Sequence, residues 1–176
     1  MPAQLFGPAL IALLLVLDQL SKWAVTEKIF RPELGLGDPM RLMDWLKNAP
    51  EMLGNVSIPV TSFFNLSMVW NPGISFGLFA NGGWGLLTIS SLVIAAGFFI
   101  WMIRSKDFWE IVTLGLIIGG ALGNVFDRIR FGAVVDFLDF YYGTWHFPAF
   151  NVADSAISVG VAGLVIHGLF FAKKSH

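Results

Sequence analysis

Cysteine is missing from the chain, which excludes disulfides and thiolate metal sites and leaves the compartment undecided by that route. Charge is scarce as well. Asp, Glu, Lys and Arg make up 13% of the 176 residues, roughly half the share of ordinary soluble domains. A net charge of −1 offers no basic surface, so nucleic acid is not an expected partner. Charge runs, Gln/Asn tracts and repeats of 20–50 residues are absent too. What remains is oily: 56% hydrophobic, 17 Phe and 7 Trp, with a mean hydropathy of +0.71. That is membrane composition, with enough aromatics to form interfacial belts.

Leu5 to Leu17 is nearly unbroken apolar sequence, and with Asp18 to Val25 it is long enough to cross a bilayer, which takes about 20 residues. Met1–Gln4 lacks Lys and Arg, and no small-x-small site follows, so an uncleaved helix is expected rather than a signal peptide. Four spans are expected, at about residues 5–25, 84–103, 108–126 and 153–172. Between the first two, the Pro- and Gly-punctuated stretch Lys28–Pro59 reads as lying outside the bilayer. Within it Pro39–Leu46 suits a short interfacial helix anchored by Trp45. Val60–Phe79 suits short strands around an Asn71-Pro72-Gly73 turn. The expected fold is therefore a mainly α membrane protein, one integral domain over residues 1–176. Four transmembrane helices would carry a small extracytoplasmic β-sheet, in a loop region over 28–83, and the interfacial helix.

An even number of spans puts both termini on one side. Arg104, Lys106, Lys173 and Lys174 crowd two very short segments there. Lys22, Lys28, Arg31, Arg41, Lys47, Arg128 and Arg130 spread over longer ones opposite. Basic density in short loops favours cytoplasmic termini.

Polar residues in such a chain are functional candidates, because each is costly unless paired or hydrated. On the third span Asn124, Asp127 and Arg128 share one face at its end. On the fourth, Asn151, Asp154, Ser155 and Ser158 share one at its start. Gly115, Gly119 and Gly123 form a ridge where another helix can approach. Asp18 and Lys22, at i and i+4, can pair on the first helix. Two carboxylates meeting at a partly dry boundary cannot both ionise readily, so a pair shares a proton. One then activates water while the other donates to a carbonyl oxygen, as in aspartic peptidases. Spacing alone does not show which acids pair. Asp127, followed by Arg128, reads as a salt-bridged structural acid and Asp139 as loop surface. Asp136 and Asp154, without an adjacent cation, are the better candidates.

Several decoys are set aside. Gly73-Ile74-Ser75-Phe76-Gly77 fits the G-x-S-x-G elbow but lacks the large α/β sheet that motif requires. Gly35-Leu36-Gly37-Asp38 resembles the GxGD stretch of presenilin-like proteases, yet sits in a Pro-flanked loop with no Tyr-Asp partner. His146 without a second His at ligand spacing reads as a loop residue, so no metal or cofactor is expected. Asn55-Val56-Ser57 and Asn65-Leu66-Ser67 are sequons short enough to arise by chance.

The order Asp18-Gln-x-x-Lys22, Asn71-x-Gly73-x-x-Phe76, Gly123-Asn124-x-x-Asp127-Arg128, Val135-Asp136-Phe137 and Phe150-Asn151-x-Ala153-Asp154 resembles bacterial lipoprotein signal peptidase, signal peptidase II. The resemblance spans nearly the whole chain. It implies a four-helix aspartic endopeptidase of the bacterial inner membrane, with its active site near the periplasmic face. The enzyme would remove signal peptides from diacylglyceryl-modified prolipoproteins, cutting before the lipid-modified cysteine. It would be inhibited by globomycin-type cyclic peptides. Carried over by position, Asp136 and Asp154 would be catalytic. Asn124, Asp127, Arg128 and Asn151 would support or line the site, Asn71 would contact substrate, and Asp18 and Lys22 would be structural or substrate-adjacent. Arg31–Ser57 is longer than the family's usual connection, and Pro72 stiffens the turn after Asn71. A rival reading is a small proton-coupled transporter or channel relaying through Asp127, Asp136 and Asp154.

Overall fold

The computed structural model describes residues 3–73 and 83–170. Among these residues four helices are long and apolar enough to cross a membrane. The first, α1 (Ala3–Trp23), does not stop near residue 25 as its sequence suggests. It runs on as a π-helical stretch, Ala24–Phe30, and a final turn, α2 (Arg31–Glu33). Thr26 Oγ1 donates to the Lys22 carbonyl at 2.7 Å, the kind of back-bond that accompanies a widened helical turn. Pro32 falls in the first turn of α2, where its missing N–H is not needed.

The short interfacial helix is α3 (Leu42–Lys47), slightly later than Pro39–Leu46. Its Trp45 is not a surface anchor: it is 1% exposed. The ring packs against Phe131, with the Arg130 guanidinium 4.1 Å from its centre. A cation this close to the face of an indole is attracted by the ring's quadrupole, which draws Trp45 inward.

Strand β1 (Ser57–Thr61) turns at Ser62-Phe63 into β2 (Phe64–Asn71). Strands therefore do form in this stretch, but β2 ends at the Asn71-Pro72-Gly73 turn. The expected continuation through residues 74–79 lies outside the described residues. Helix α4 (Gly83–Arg104) follows, then α5 (Phe108–Phe131). Asp107 caps α5 by accepting from the backbone N–H of Trp109 at 2.8 Å and of Glu110 at 3.2 Å. The C-terminus comes at Gly132, in the left-handed conformation at φ 72°. The helix thus runs five residues past the expected 126, and Asn124, Asp127 and Arg128 lie on its last turns.

The segment after Gly132 supplies β3 (Val134–Tyr142) and β4 (Trp145–His146), so half of the sheet's strands come from outside the 28–83 region where the sheet is expected. The antiparallel sheet has the order β1-β2-β3-β4, with Val69 opposite Asp136 and Asn71 opposite Val134. One side of β3, Val135 and Phe137, packs with Met68 against Val25, Phe30 and Leu53. Helix α6 (Val152–Phe170) closes the described chain, and Lys173-Lys174 lies beyond the described residues.

Helix α5 is the centre of the bundle. Its apolar window is 61% buried, against 17–22% for the other three spans. The glycine ridge makes that possible. A Cβ at Gly119 would stand 2.9 Å from Leu14 Cβ, and one at Gly123 2.6 Å from Asp18 Oδ2. Larger residues there would push α1 away. Gly160 of α6 plays the reciprocal part against Ile117 and the Thr113 carbonyl.

Candidate active site

Where α1, α5 and α6 converge below the sheet, the chain collects its buried polar groups. Asn151 caps α6, and Asp154 stands three residues on. The Asn151 side-chain oxygen accepts the Asp154 N–H at 3.0 Å, and Asp154 Oδ2 accepts the Asn151 N–H at 3.2 Å. This reciprocal capping box holds both side chains at the helix start. There the free N–H groups of the first turn interact favourably with negative charge. Asp154 Oδ1 also accepts from Asn124 Nδ2 at 2.7 Å.

Asp136 lies in β3, completely buried. Its Oδ1 accepts from Asn151 Nδ2 at 2.7 Å, and its Oδ2 from Asn71 Nδ2 at 2.9 Å. The Asn151 amide therefore touches Asp136 on one side and the Asp154 backbone on the other. Burial pushes the Asp136 carboxyl up to about 7. The Asn71 hydrogen bond works against that rise, and the charge of Asp154 adds to it. An acid poised near neutrality beside a second carboxylate has the properties a proton-sharing pair requires.

Beneath the pair is a fully buried ionic cluster. Lys22 Nζ lies 2.8 Å from Asp18 Oδ2 and 2.7 Å from Asp127 Oδ2. Gln19 Nε2 donates to both acids, at 3.0 Å and 2.9 Å. The free lone pairs of these acids hold the backbone of the site: Asp18 Oδ1 accepts the Ala153 N–H at 3.1 Å, and Asp127 Oδ2 the Val135 N–H at 3.1 Å. Each of those residues is the immediate chain neighbour of a candidate catalytic acid. The expected i, i+4 pair on the first helix is thus present. Asp127 is salt-bridged, as expected, but its partner is Lys22 rather than Arg128.

Arg128 instead interacts electrostatically with Asp154, Asp127 and Asp136. Its Nε is buried and finds no acceptor among the described residues. Ser158, expected on the polar face of α6, is exposed on the bundle's exterior.

Asp139 is a correction: it is not loop surface but a buried member of β3. It accepts from Ser67 Oγ at 2.7 Å, and its other oxygen lies 2.7 Å from His146 Nδ1. Partial burial tends to raise its carboxyl. The hydrogen bonds from His146, Ser67 and Asn65 outweigh that and hold it below the usual carboxylate range. It braces β2 against the β3–β4 hairpin. Two further residues, Gln19 and Arg130, join the site although the sequence assigns them no role there. Gln19 enters it only as part of the Asp18-Gln-x-x-Lys22 block. Arg130 donates to the Gln19 side-chain oxygen at 3.4 Å and to the Trp45 carbonyl, joining α3 to the buried cluster. Among the described residues no group of His, Asp or Glu has the arrangement of a metal site.

The family model described as signal peptidase (SPase) II matches residues 10–170. The lipoprotein signal peptidase of Polynucleobacter necessarius is 42% identical over 164 residues, covering 91% of this chain and 86% of that one. That of Rhizorhabdus wittichii is 41% identical over 169 residues, covering 93% and 84%. A bacterial membrane enzyme solved by the in meso method at 1.9 Å resolution superposes with a TM-score of 0.71 at 25% identity, covering 95% of this chain and 94% of that one.

Proposed function

Because the chain belongs to the signal peptidase II family, and is thus a peptidase, we propose that it removes signal peptides from diacylglyceryl-modified prolipoproteins. Asp136 and Asp154 are its catalytic pair, and the cut falls immediately before the lipid-modified cysteine. The carrying observation is the Asn151 amide, which links a carboxyl poised near pH 7 to the start of the helix that bears a second one.

The chemistry follows from the surroundings of each acid. Asp136, buried and raised, holds the shared proton. Asp154, at the N-terminus of α6, accepts hydrogen bonds on both oxygens and acts as the base. Water gives a proton to Asp154 as its oxygen attacks the scissile carbonyl, and Asp136 donates to the carbonyl oxygen. Breakdown of the tetrahedral species returns a proton to the leaving amine. Arg128, whose Nε finds no acceptor among the described residues and which interacts electrostatically with both acids, stabilises the developing oxyanion or a substrate carbonyl. Asn71, on the exposed end of β2, contacts the substrate backbone while orienting Asp136.

A diacylglyceryl substrate stays in the bilayer, whereas hydrolysis needs water, and a pair at the end of the spans beneath a sheet meets both needs. The protein is a multi-pass membrane protein. We place it in the bacterial inner membrane with both termini cytoplasmic and the sheet periplasmic. Globomycin-type peptides are expected to compete for the site.

The test is cleavage of a purified, lipid-modified prolipoprotein in detergent and in lipid. Wild-type protein is expected to release the signal peptide, and Asp136→Asn and Asp154→Asn to lose the activity. Processing at the wild-type rate by either variant removes that residue from the mechanism. Failure of the wild type on lipidated substrate across several lipids rejects the substrate assignment.

A further inference from the structure

The sheet carries almost no charge on its outside. From Met52 through Ile103 the sequence has no Asp, Glu, Lys, Arg or His, and from Phe140 through Ala153 the only one of these is His146. Sheet edges facing water are normally blunted with charge, Lys above all. Here the edge strand β1 shows Pro59 and an exposed Val60 instead. The hairpin tips are aromatic and open: Tyr142 is 87% exposed and Trp145 64%, with Phe63 and Phe147 more than half uncovered or close to it.

These side chains are not scattered. Phe64 lies 4.8 Å from Phe140, Phe140 5.9 Å from Phe150, Phe150 5.9 Å from Phe147, and Phe147 6.3 Å from Trp145, ring centre to ring centre. Strand alternation puts Phe140 and Tyr142 on the same face of β3 as Asp136. The opposite face, through Val135 and Phe137, is already occupied by the core. The aromatic ladder runs back along the strand to Phe150, two residues before α6 enters its span. On α6 the exposed surface is likewise apolar apart from Ser158, with Val159, Val161 and Val165 open.

We propose that the sheet lies with its Asp136 face against the lipid–water interface of the bilayer its helices cross. Phe140, Tyr142, Trp145 and Phe147 form an anchor embedded among the lipid headgroups, distinct from the four spans. Trp and Tyr, with an apolar body and a polar tip, are the side chains that settle at this depth. An uncharged surface continuous with a lipid-facing helix fits the interface better than water. The anchor fixes the tilt of β3, and with it the depth at which Asp136 meets a substrate held by its own lipid.

Absence of native cysteine makes a direct test available. Single labels are introduced as Tyr142→Cys and Trp145→Cys, with Asp38→Cys on an exposed loop as the aqueous control. Each carries a nitroxide and is reconstituted at about one protein per vesicle. Relaxation is compared with dissolved oxygen, which concentrates in lipid, and with a nickel chelate, which stays in water. Labels at 142 and 145 are expected to favour oxygen several-fold over nickel, and the label at 38 the reverse. Nickel access at 142 and 145 equal to that at 38 overturns the proposal. So does shielding from nickel without a gain in oxygen, which signals cover by protein or peptide. If labelling disturbs the fold, headgroup-proximal brominated lipids replace it: Trp145→Phe is expected to reduce the quenchable share of tryptophan emission. An unchanged share overturns the proposal equally.

Discussion

Asn151 Nδ2 sits 2.7 Å from Asp136 Oδ1, while the oxygen of the same amide receives the Asp154 backbone N–H at 3.0 Å. One side chain thus has two separable duties, capping a helix and orienting a carboxylate. Asn151→Ser keeps a capping oxygen but loses the amide donor. It also loses the donor to the Val135 carbonyl and to Asn124 Oδ1, both buried, so it is expected to cost about 1–3 kcal/mol of stability. Cleavage is expected to fall roughly 10- to 100-fold, the worth of a hydrogen bond to a charged group. Steady-state kinetics beside thermal unfolding check this, and wild-type turnover in Asn151→Ser would refute the orienting role.

The raised Asp136 carboxyl makes both activity and stability depend on pH. Its native value, about 7, exceeds the unfolded one of roughly 4. The native state therefore holds the proton more tightly. The stabilisation is complete below the unfolded value, and is lost as pH rises through about 7. The span corresponds to at most about 4 kcal/mol. Unfolding measured from pH 4 to 8 is expected to show declining stability in wild type and a flatter profile in Asp136→Asn. Cleavage is expected to fall on both sides of an optimum, because activity needs one proton on the pair.

Lys22 is the sole cation within hydrogen-bonding reach of both Asp18 and Asp127 among the described residues. Removing one partner of a buried ionic group leaves the others uncompensated, at a cost of about 3–5 kcal/mol. Lys22→Met is expected to lower the unfolding temperature sharply and to abolish cleavage. A loss of activity with unchanged stability would instead indicate direct contact between Lys22 and substrate.

Glycines on one ridge differ in what they face. An added Cβ at Gly123 meets the carboxylate of Asp18 at 2.6 Å. At Gly115 it meets Leu10 Cδ2 at 3.1 Å, the far end of a side chain that can rotate. Gly123→Ala is expected to cost about 1–3 kcal/mol and to reduce cleavage by displacing the Asp18 cap on α6. Gly115→Ala is expected to be close to neutral. Unfolding of the two variants side by side decides it.

The four spans were legible because oily runs of the right length leave few alternatives in a chain this poor in charge. The glycine ridge was legible because its period of four is a helical one. Strand β3 was not. Val134–Tyr142 has the right residue types, but its partner β2 lies more than sixty residues away, and nothing local announces such a pairing. Once β3 is known, Asp139 can no longer be a surface loop residue, because Ser67 and His146 come to meet it. Trp45 misled for a related reason. Its inward turn depends on Arg130, on another helix, and a tryptophan in a short amphipathic segment reads equally as an anchor to lipid. The partner of Asp127 was hidden likewise, since Lys22 reaches it across a helix interface and Arg128 merely adjoins it in sequence.

The seat that Asp18 offers to the Ala153 N–H joins the first span of the chain to the last. It has a consequence for biogenesis. During synthesis α1 emerges with Asp18 and Lys22 already in place, and the strand bearing Asp136 follows. The second acid is delivered only when α6 inserts and its N-terminus docks on α1. On the proposed pairing of Asp136 with Asp154, every insertion intermediate before that step holds one of the two acids and would be inert, so proteolytic competence would appear only with the assembled bundle.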